Sequence, residues 1–202
     1  MPWKKDYDNP NLTEAEAIAI INEARRRAPQ TWPRKFAYSW APFFAVLWYT
    51  GRRLGEVLQV PLSDVHDDQI EYMPEKVRDA RKTSCFVPPW LVAEILELQP
   101  RGRAPTGRVF PFSPSAADQA FKRIALGAGI TRHVHLHMIR HGHGRHLAKV
   151  LQQQGTPADI IQGAIKRALG HRSYTQTRDY LEPSKGELAQ LQHRAFGPRD
   201  RR

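Results

Sequence analysis

The sequence predicts a mostly helical fold with one small antiparallel β-sheet. Apolar residues recur at helical spacing through most segments between Leu12 and Ala195, and capping signatures stand at Thr13/Glu16 and Ser184/Glu187. One pair of short runs, Ile70-Glu71-Tyr72-Met73 and Phe86-Val87-Pro88, reads as a hairpin. A length of 202 residues with 41% hydrophobic content suits one domain with a sizeable core.

The elements follow in order. Residues 1–11 read as a disordered lead, and residues 12–202 as the domain. Thr13 caps a first helix, Glu16 completes the capping box, and Pro29 ends it. Its predicted apolar stripe is Ile18, Ile21 and Ala28. Pro33 to Thr50 is a buried helix carrying Phe36, Trp40, Phe43, Phe44, Leu47 and Trp48. Gly51 turns the chain into a short helix that Val60-Pro61 ends, and Asp64 to Asp68 reads as a turn before the hairpin. Trp90 to Leu98 is a helix buried through Leu91, Ile95 and Leu98. Pro100 to Pro114 is loop, with Arg101, Arg103 and Arg108 either forming a basic arm or lying on a surface loop. Ser115 to Leu126 is a helix stopped by Gly127 and Gly129. A further helix packs through Leu147, Val150 and Leu151, and Gly155 ends it. Thr156-Pro157 then opens another, with Ile160, Ile161 and Ile165 assigned to the core. A last amphipathic helix runs from Ser184, with Leu188, Leu191 and Ala195 as its stripe.

Charge narrows the function classes. Thirty-one Lys and Arg against 20 Asp and Glu leave a net charge of +11. Such a balance points to a polyanion partner, nucleic acid first. The single Cys85 excludes an intrachain disulfide and fits a reducing cytosol, so a cytoplasmic protein is expected. The N-terminus lacks an apolar h-region, and no apolar run reaches bilayer length, so no membrane role is expected.

The chemistry concentrates between Leu136 and Tyr180. Leu136-His137-Met138-Ile139-Arg140-His141 places His137 and Arg140 on one helix face. Leu169-Gly170-His171 follows, and Tyr180 stands nine residues beyond His171; Ser173 with Gln176 can cap the segment between them. An arginine fork, two imidazoles and a phenol suit phosphate chemistry, since Arg grips phosphate oxygens bidentately and a tyrosine hydroxyl can act as a nucleophile. Upstream, Thr50-Gly51-Arg52-Arg53-Leu54-Gly55-Glu56 sets Arg53 one turn from Glu56. A surface pair is the plain alternative for those two, and Arg52 reads as a neighbouring cation. Six histidines crowd between His133 and His146. His137 and His141 stand at i, i+4, but no H-E-x-x-H occurs and the sole cysteine is remote, so metal is set aside. His133, His135, His143 and His146 read as helix or loop surface.

These boxes resemble the tyrosine recombinase (phage integrase) catalytic domain over nearly the whole chain, from about Leu12 to Phe196. His137-Met138-Ile139-Arg140-His141 is similar to its H-x-L-R-H box, Leu169-Gly170-His171 with Tyr180 to its L-G-H…Y box, and Thr50 to Glu56 to its T-G-x-R-x-x-E box. The resemblance implies an integrase-type fold and a site-specific recombinase that cleaves and rejoins DNA through a 3′-phosphotyrosyl link. Implied catalytic residues are Arg53, His137, Arg140, His171, the nucleophile Tyr180, and a hairpin lysine, either Lys76 or Lys82, with Lys76 favoured by strand register. Glu56 and His141 are implied supports. No cofactor or metal is implied. Implied partners are double-stranded DNA with inverted half-sites and further copies of the chain, a monomer in solution becoming a dimer to tetramer on DNA. The setting implied is a prokaryotic mobile element. The separate amino-terminal clamp domain usual in the family is not seen, which resembles single-domain members. Two rival readings are type IB topoisomerase-like relaxation and a non-catalytic DNA-binding regulator; the intact Arg53, Arg140 and Tyr180 argue against the second. A zinc-dependent nuclease is a third, and predicts chelator-sensitive cleavage.

Overall fold

The computed structural model describes residues 11–27, 40–74, 81–97 and 107–170. In that range the chain forms seven α-helices and one two-stranded antiparallel sheet. The helices are α1 (Glu14–Arg27), α2 (Trp40–Thr50), α3 (Leu54–Leu58), α4 (Pro89–Glu97), α5 (Pro114–Gly127), α6 (His137–Gln153) and α7 (Ala158–Leu169). Strands β1 (Gln69–Tyr72) and β2 (Thr83–Phe86) pair in the register Gln69 with Phe86 through Tyr72 with Thr83. Among the described residues no helix is long and apolar enough to cross a membrane.

Helix α1 begins as the capping box requires. The Thr13 N–H donates to Glu16 Oε2 at 2.9 Å, and the Glu16 N–H donates back to Thr13 Oγ1 at 3.2 Å. Its buried stripe is Ala17, Ile20, Ile21 and Ala24, while Ile18 is exposed. Of the expected stripe, Ile21 is buried, Ile18 is exposed and Ala28 lies outside the described residues; Ala17 and Ala24, which give little sequence signal, face the core instead.

Helix α2 is the centre of the molecule. Every residue from Trp40 to Thr50 is buried except Tyr49, and a helix apolar all round belongs in an interior. Trp40 stacks on Phe112 with centroids 4.0 Å apart, Phe43 meets Phe110 edge-on at 5.2 Å, and Phe44 meets Phe121 at 5.5 Å. The second half of the predicted loop thus belongs to the core, since Val109 and Phe110 are buried. Val109 N–H donates to Val60 O and Leu62 N–H to Gly107 O, which pins that segment beside the end of α3. Arg108 is exposed there, bridged to Pro61; Arg101 and Arg103 lie outside the described residues.

Helix α6 can approach the entry of α1 closely because Gly142 has no side chain. A Cβ there would stand 2.4 Å from the Leu12 carbonyl oxygen. Helix α7 packs on α6 through Ile161, Ile165 and Leu169, against Ala148. Ile160, expected in the core, is exposed. Pro157 is the residue before the helix, and no side chain caps that end, so the expected Thr156 cap is not made. The chain leaves α7 through Gly170 at φ +62, a left-handed cap that favours glycine. The expected helix from Ser184 and the Ser173 cap lie outside the described residues.

Candidate active site

Arg140 is where the three sequence boxes meet. It sits in the first turn of α6 and is buried, with 4% of its surface exposed. One terminal nitrogen donates to the Gly51 carbonyl at 2.7 Å, and the other to the Leu169 carbonyl. Gly51 is the glycine of the T-G-x-R box, and Leu169 opens the L-G-H box. Both donations go to residues at tight turns, Gly51 at φ +60 and the Leu169-Gly170 cap. The guanidinium fork suits this, because its donors diverge in a fixed plane.

Arg53 stands two residues beyond that bonded carbonyl, at the entry to α3. Its Nη1 lies 3.2 Å from Glu56 Oε1, and its own N–H donates to Glu56 Oε2 at 3.0 Å. Glu56 is fully buried while Arg53 keeps 36% of its side chain exposed. The carboxylate therefore orients the arginine from beneath and leaves part of the fork open to a ligand.

His137 is exposed at the start of α6. Partial burial lowers its pKa, and the charges of Arg140, His135 and Arg53 lower it further. Both arginines are thus close enough to act on this ring. An imidazole kept neutral in a cationic site can accept a proton. The His141 ring lies edge-on to it, 4.6 Å away.

Lys82 lies just before β2, opposite the end of β1. The return strand starts at Thr83, not at Phe86 as expected, which places Lys82 at the loop end of the hairpin. Its Nζ is 2.5 Å from the carboxylate of buried Asp64 and 3.7 Å from Glu71. Asp64 holds the ammonium firmly charged and raises its pKa, with Glu71 adding to the effect. Lys76, His171 and Tyr180 lie outside the described residues.

Two residues here carry more structure than their sequence suggested. Arg52, read as a neighbouring cation, is buried; its Nε donates to Cys85 Sγ at 2.9 Å, and its guanidinium lies over the Tyr72 ring at 5.7 Å. Burial pushes the Cys85 thiol pKa up. His143, read as surface, packs under the Gly51 turn, and a Cβ on Gly51 would meet its ring at 2.5 Å. Its Nδ1 lies 2.7 Å from the Trp48 carbonyl, so Nδ1 is the donor. Nε2 is buried with no hydrogen-bond partner among the described residues. Desolvation lowers the His143 pKa to about 4. Its spacing of three from inward-facing Arg140 was the available signal. His146 is half-buried, 5.6 Å from Trp48 and 3.5 Å from the Glu14 carboxylate.

Residues 92–187 match the phage integrase family model. The fold is similar to XerA recombinase (TM-score 0.69, 22% identity), with 98% of this chain aligned to 67% of that one. XerH recombinase bound to its difH substrate gives a TM-score of 0.67 at 17% identity, with 97% of this chain on 56% of that one. The catalytic domain of bacteriophage HP1 integrase gives 0.60 at 19% identity, with 95% and 96% covered. The chain thus spans about half to two thirds of the Xer proteins and nearly all of the HP1 catalytic domain. No curated protein matches the sequence. Residues 92–187 thus resemble the phage integrase family, and the described chain shares the fold of XerA recombinase and of the HP1 integrase catalytic domain.

Proposed function

We propose that this protein is a site-specific tyrosine recombinase. The observation that carries the reading is Arg140, whose fork joins the turn before Arg53 to the turn before His171. Tyr180 Oη attacks the scissile phosphorus, and the bond to the 5′-oxygen breaks. The enzyme is left joined to the 3′-phosphate. The 5′-hydroxyl of a second strand then reverses the step on a new partner, so phosphodiester energy is conserved and no nucleotide cofactor is consumed. Arg53 and Arg140 supply positive charge to the non-bridging oxygens. His137 assists transfer of the tyrosine proton, and His171 donates a hydrogen bond to the phosphate. Glu56 and His141 orient these groups.

Lys76 protonates the leaving 5′-oxygen. Favouring it over Lys82 is the tie of Lys82 to Asp64 and Glu71, since an ammonium whose pKa is raised by carboxylates gives up its proton poorly. DNA as partner is supported by the charge of +11 and by the DNA-bound XerH and lambda integrase structures of the same fold. A lambda integrase dimer on a core site and a tetramer on a Holliday junction support assembly of several protomers on paired half-sites.

Trapping on a nicked suicide duplex tests the reading. Wild-type protein should give a covalent adduct on a denaturing gel, in EDTA as well as without it. Tyr180→Phe should bind the duplex and give none. An adduct of normal yield from Tyr180→Phe would remove Tyr180 from the mechanism, and loss of cleavage on chelation would point to metal chemistry instead.

A further inference from the structure

The run Thr131 to Leu136 leads into α6 and alternates in character. Val134 and Leu136 are buried, while His133 and His137 are exposed and His135 is half-buried between them. An extended segment sends alternate side chains to opposite sides. The apolar residues therefore anchor it, and the imidazoles share its other side. Ring centroids are 6.0 Å apart from His133 to His135, 6.5 Å from His135 to His137, and 4.6 Å from His137 to His141. The segment is held in place by Arg132, which donates to the Glu16 carboxylate and to the Asn11 carbonyl, each at 2.8 Å. The result is a fixed row of four imidazoles that ends at the candidate catalytic arginines. The proposed chemistry uses His137 and His141 and leaves His133 and His135 unassigned.

We infer that this row is a track for the DNA phosphate backbone, and that DNA binding takes up protons at His133 and His135. The inference rests on DNA being the ligand. In the free protein His135 and His137 resist protonation. Partial burial lowers the His135 pKa first, and the charges of His133 and Lys122 add to this against Asp118, which raises it. Asp118 and Lys122 come from α5 and pair with each other at 2.6 Å. At the far end His137 feels Arg140 and Arg53. Phosphates laid along the row reverse this balance, since an anion beside an imidazole favours its charged form. Each imidazole that charges then adds a phosphate contact and releases a counterion.

The test is fluorescence anisotropy of the full chain on a labelled random-sequence duplex, at constant ionic strength, from pH 6 to 7.5, with EDTA present. Wild-type affinity should weaken about tenfold over that range, and the His133→Gln/His135→Gln variant should weaken about threefold or less. At pH 6 the variant should bind more weakly than wild type, and at pH 7.5 the two should nearly coincide. Should the double variant fail to match the wild-type melt, His133→Gln alone, at an exposed position, should show an intermediate slope. Parallel pH curves for wild type and a folded variant overturn the inference. A pH dependence present without EDTA and lost with it also overturns it, and assigns the row to a metal ion. Absence of duplex binding at every pH refutes the DNA reading itself.

Discussion

The described residues form two hydrophobic clusters of unequal size, and the candidate site lies on the seam between them. The larger takes in α1, α2, α4, α5, the sheet and the start of α6, with α2 buried on nearly all sides. The smaller is Ala148, Ile161, Ile165 and Leu169, with Leu147 and Leu151 packed beside it. Arg53, Glu56 and Arg140 are seated on the larger. The Gly170 turn that leads to His171 hangs on the smaller. Stability within a fold tracks local burial, so α7 should open at lower free energy than α2. The parts proposed to grip phosphate are thus built on the larger cluster, and the part that leads to the proposed nucleophile rests, among the described residues, on the smaller one. Arg140 crosses the seam, with one bond to each side.

The strongest way to break this division is to remove that crossing. Arg140→Ala should reduce adduct formation by at least about 10²–10³-fold, because a preorganised donor is lost from the phosphate site. It should also cost about 3 kcal/mol in urea melts, because two buried carbonyls lose their donor. Arg140→Lys should lose nearly as much activity, since a point charge cannot replace the fork. Wild-type melting by Arg140→Ala would mean that the two clusters are joined by something else.

Paired truncations sharpen the contrast. Phe43→Ala, in the larger cluster, should cost about 3–5 kcal/mol and speed amide exchange across the whole described fold. Ile165→Ala should cost about 2–3 kcal/mol and speed exchange chiefly in 158–169, leaving α2 close to wild type. Equal spreading from both variants would show one cooperative unit.

The last test is set by pH, and its effect is spread over several pH units. His143 lies on the seam, and Arg140, Arg52 and His146 all disfavour its protonation. Its folded pKa of about 4 is below the ordinary 6.5. The unfolded chain therefore binds the extra proton first. This contribution to stability is full above about pH 6.5 and is lost as pH falls towards 4, amounting to at most about 3 kcal/mol. Melts of wild type and His143→Phe between those pH values should diverge accordingly. Identical slopes would show that His143 does not report on the seam.

Much of this was legible in the chain itself. The Thr13/Glu16 box and the buried run of α2 followed from local rules of capping and hydropathy. The boxes that the resemblance assigned to one site are linked through Arg140. What was not legible depended on partners far away in sequence. Nothing near Arg52 announces Cys85, 33 residues on, as its acceptor. Nothing near Lys82 announces that Asp64 will hold it, and the extra length of the 73–82 connection hid where β2 begins. His143 was misjudged because composition says histidine is often at the surface, whereas its helix face said interior.

Gly142 has a consequence for how this sequence can drift. Every single-base change that replaces the glycine with another amino acid adds a Cβ. Here that atom would meet a backbone oxygen at 2.4 Å, and a backbone oxygen cannot rotate away as a side chain does. The position therefore has no conservative neighbour in the genetic code. Leucine, isoleucine and methionine can trade places elsewhere in α6 at modest cost. At Gly142 a viable lineage must first move the entry of α1, so two distant parts of the gene are tied together by a side chain that is absent.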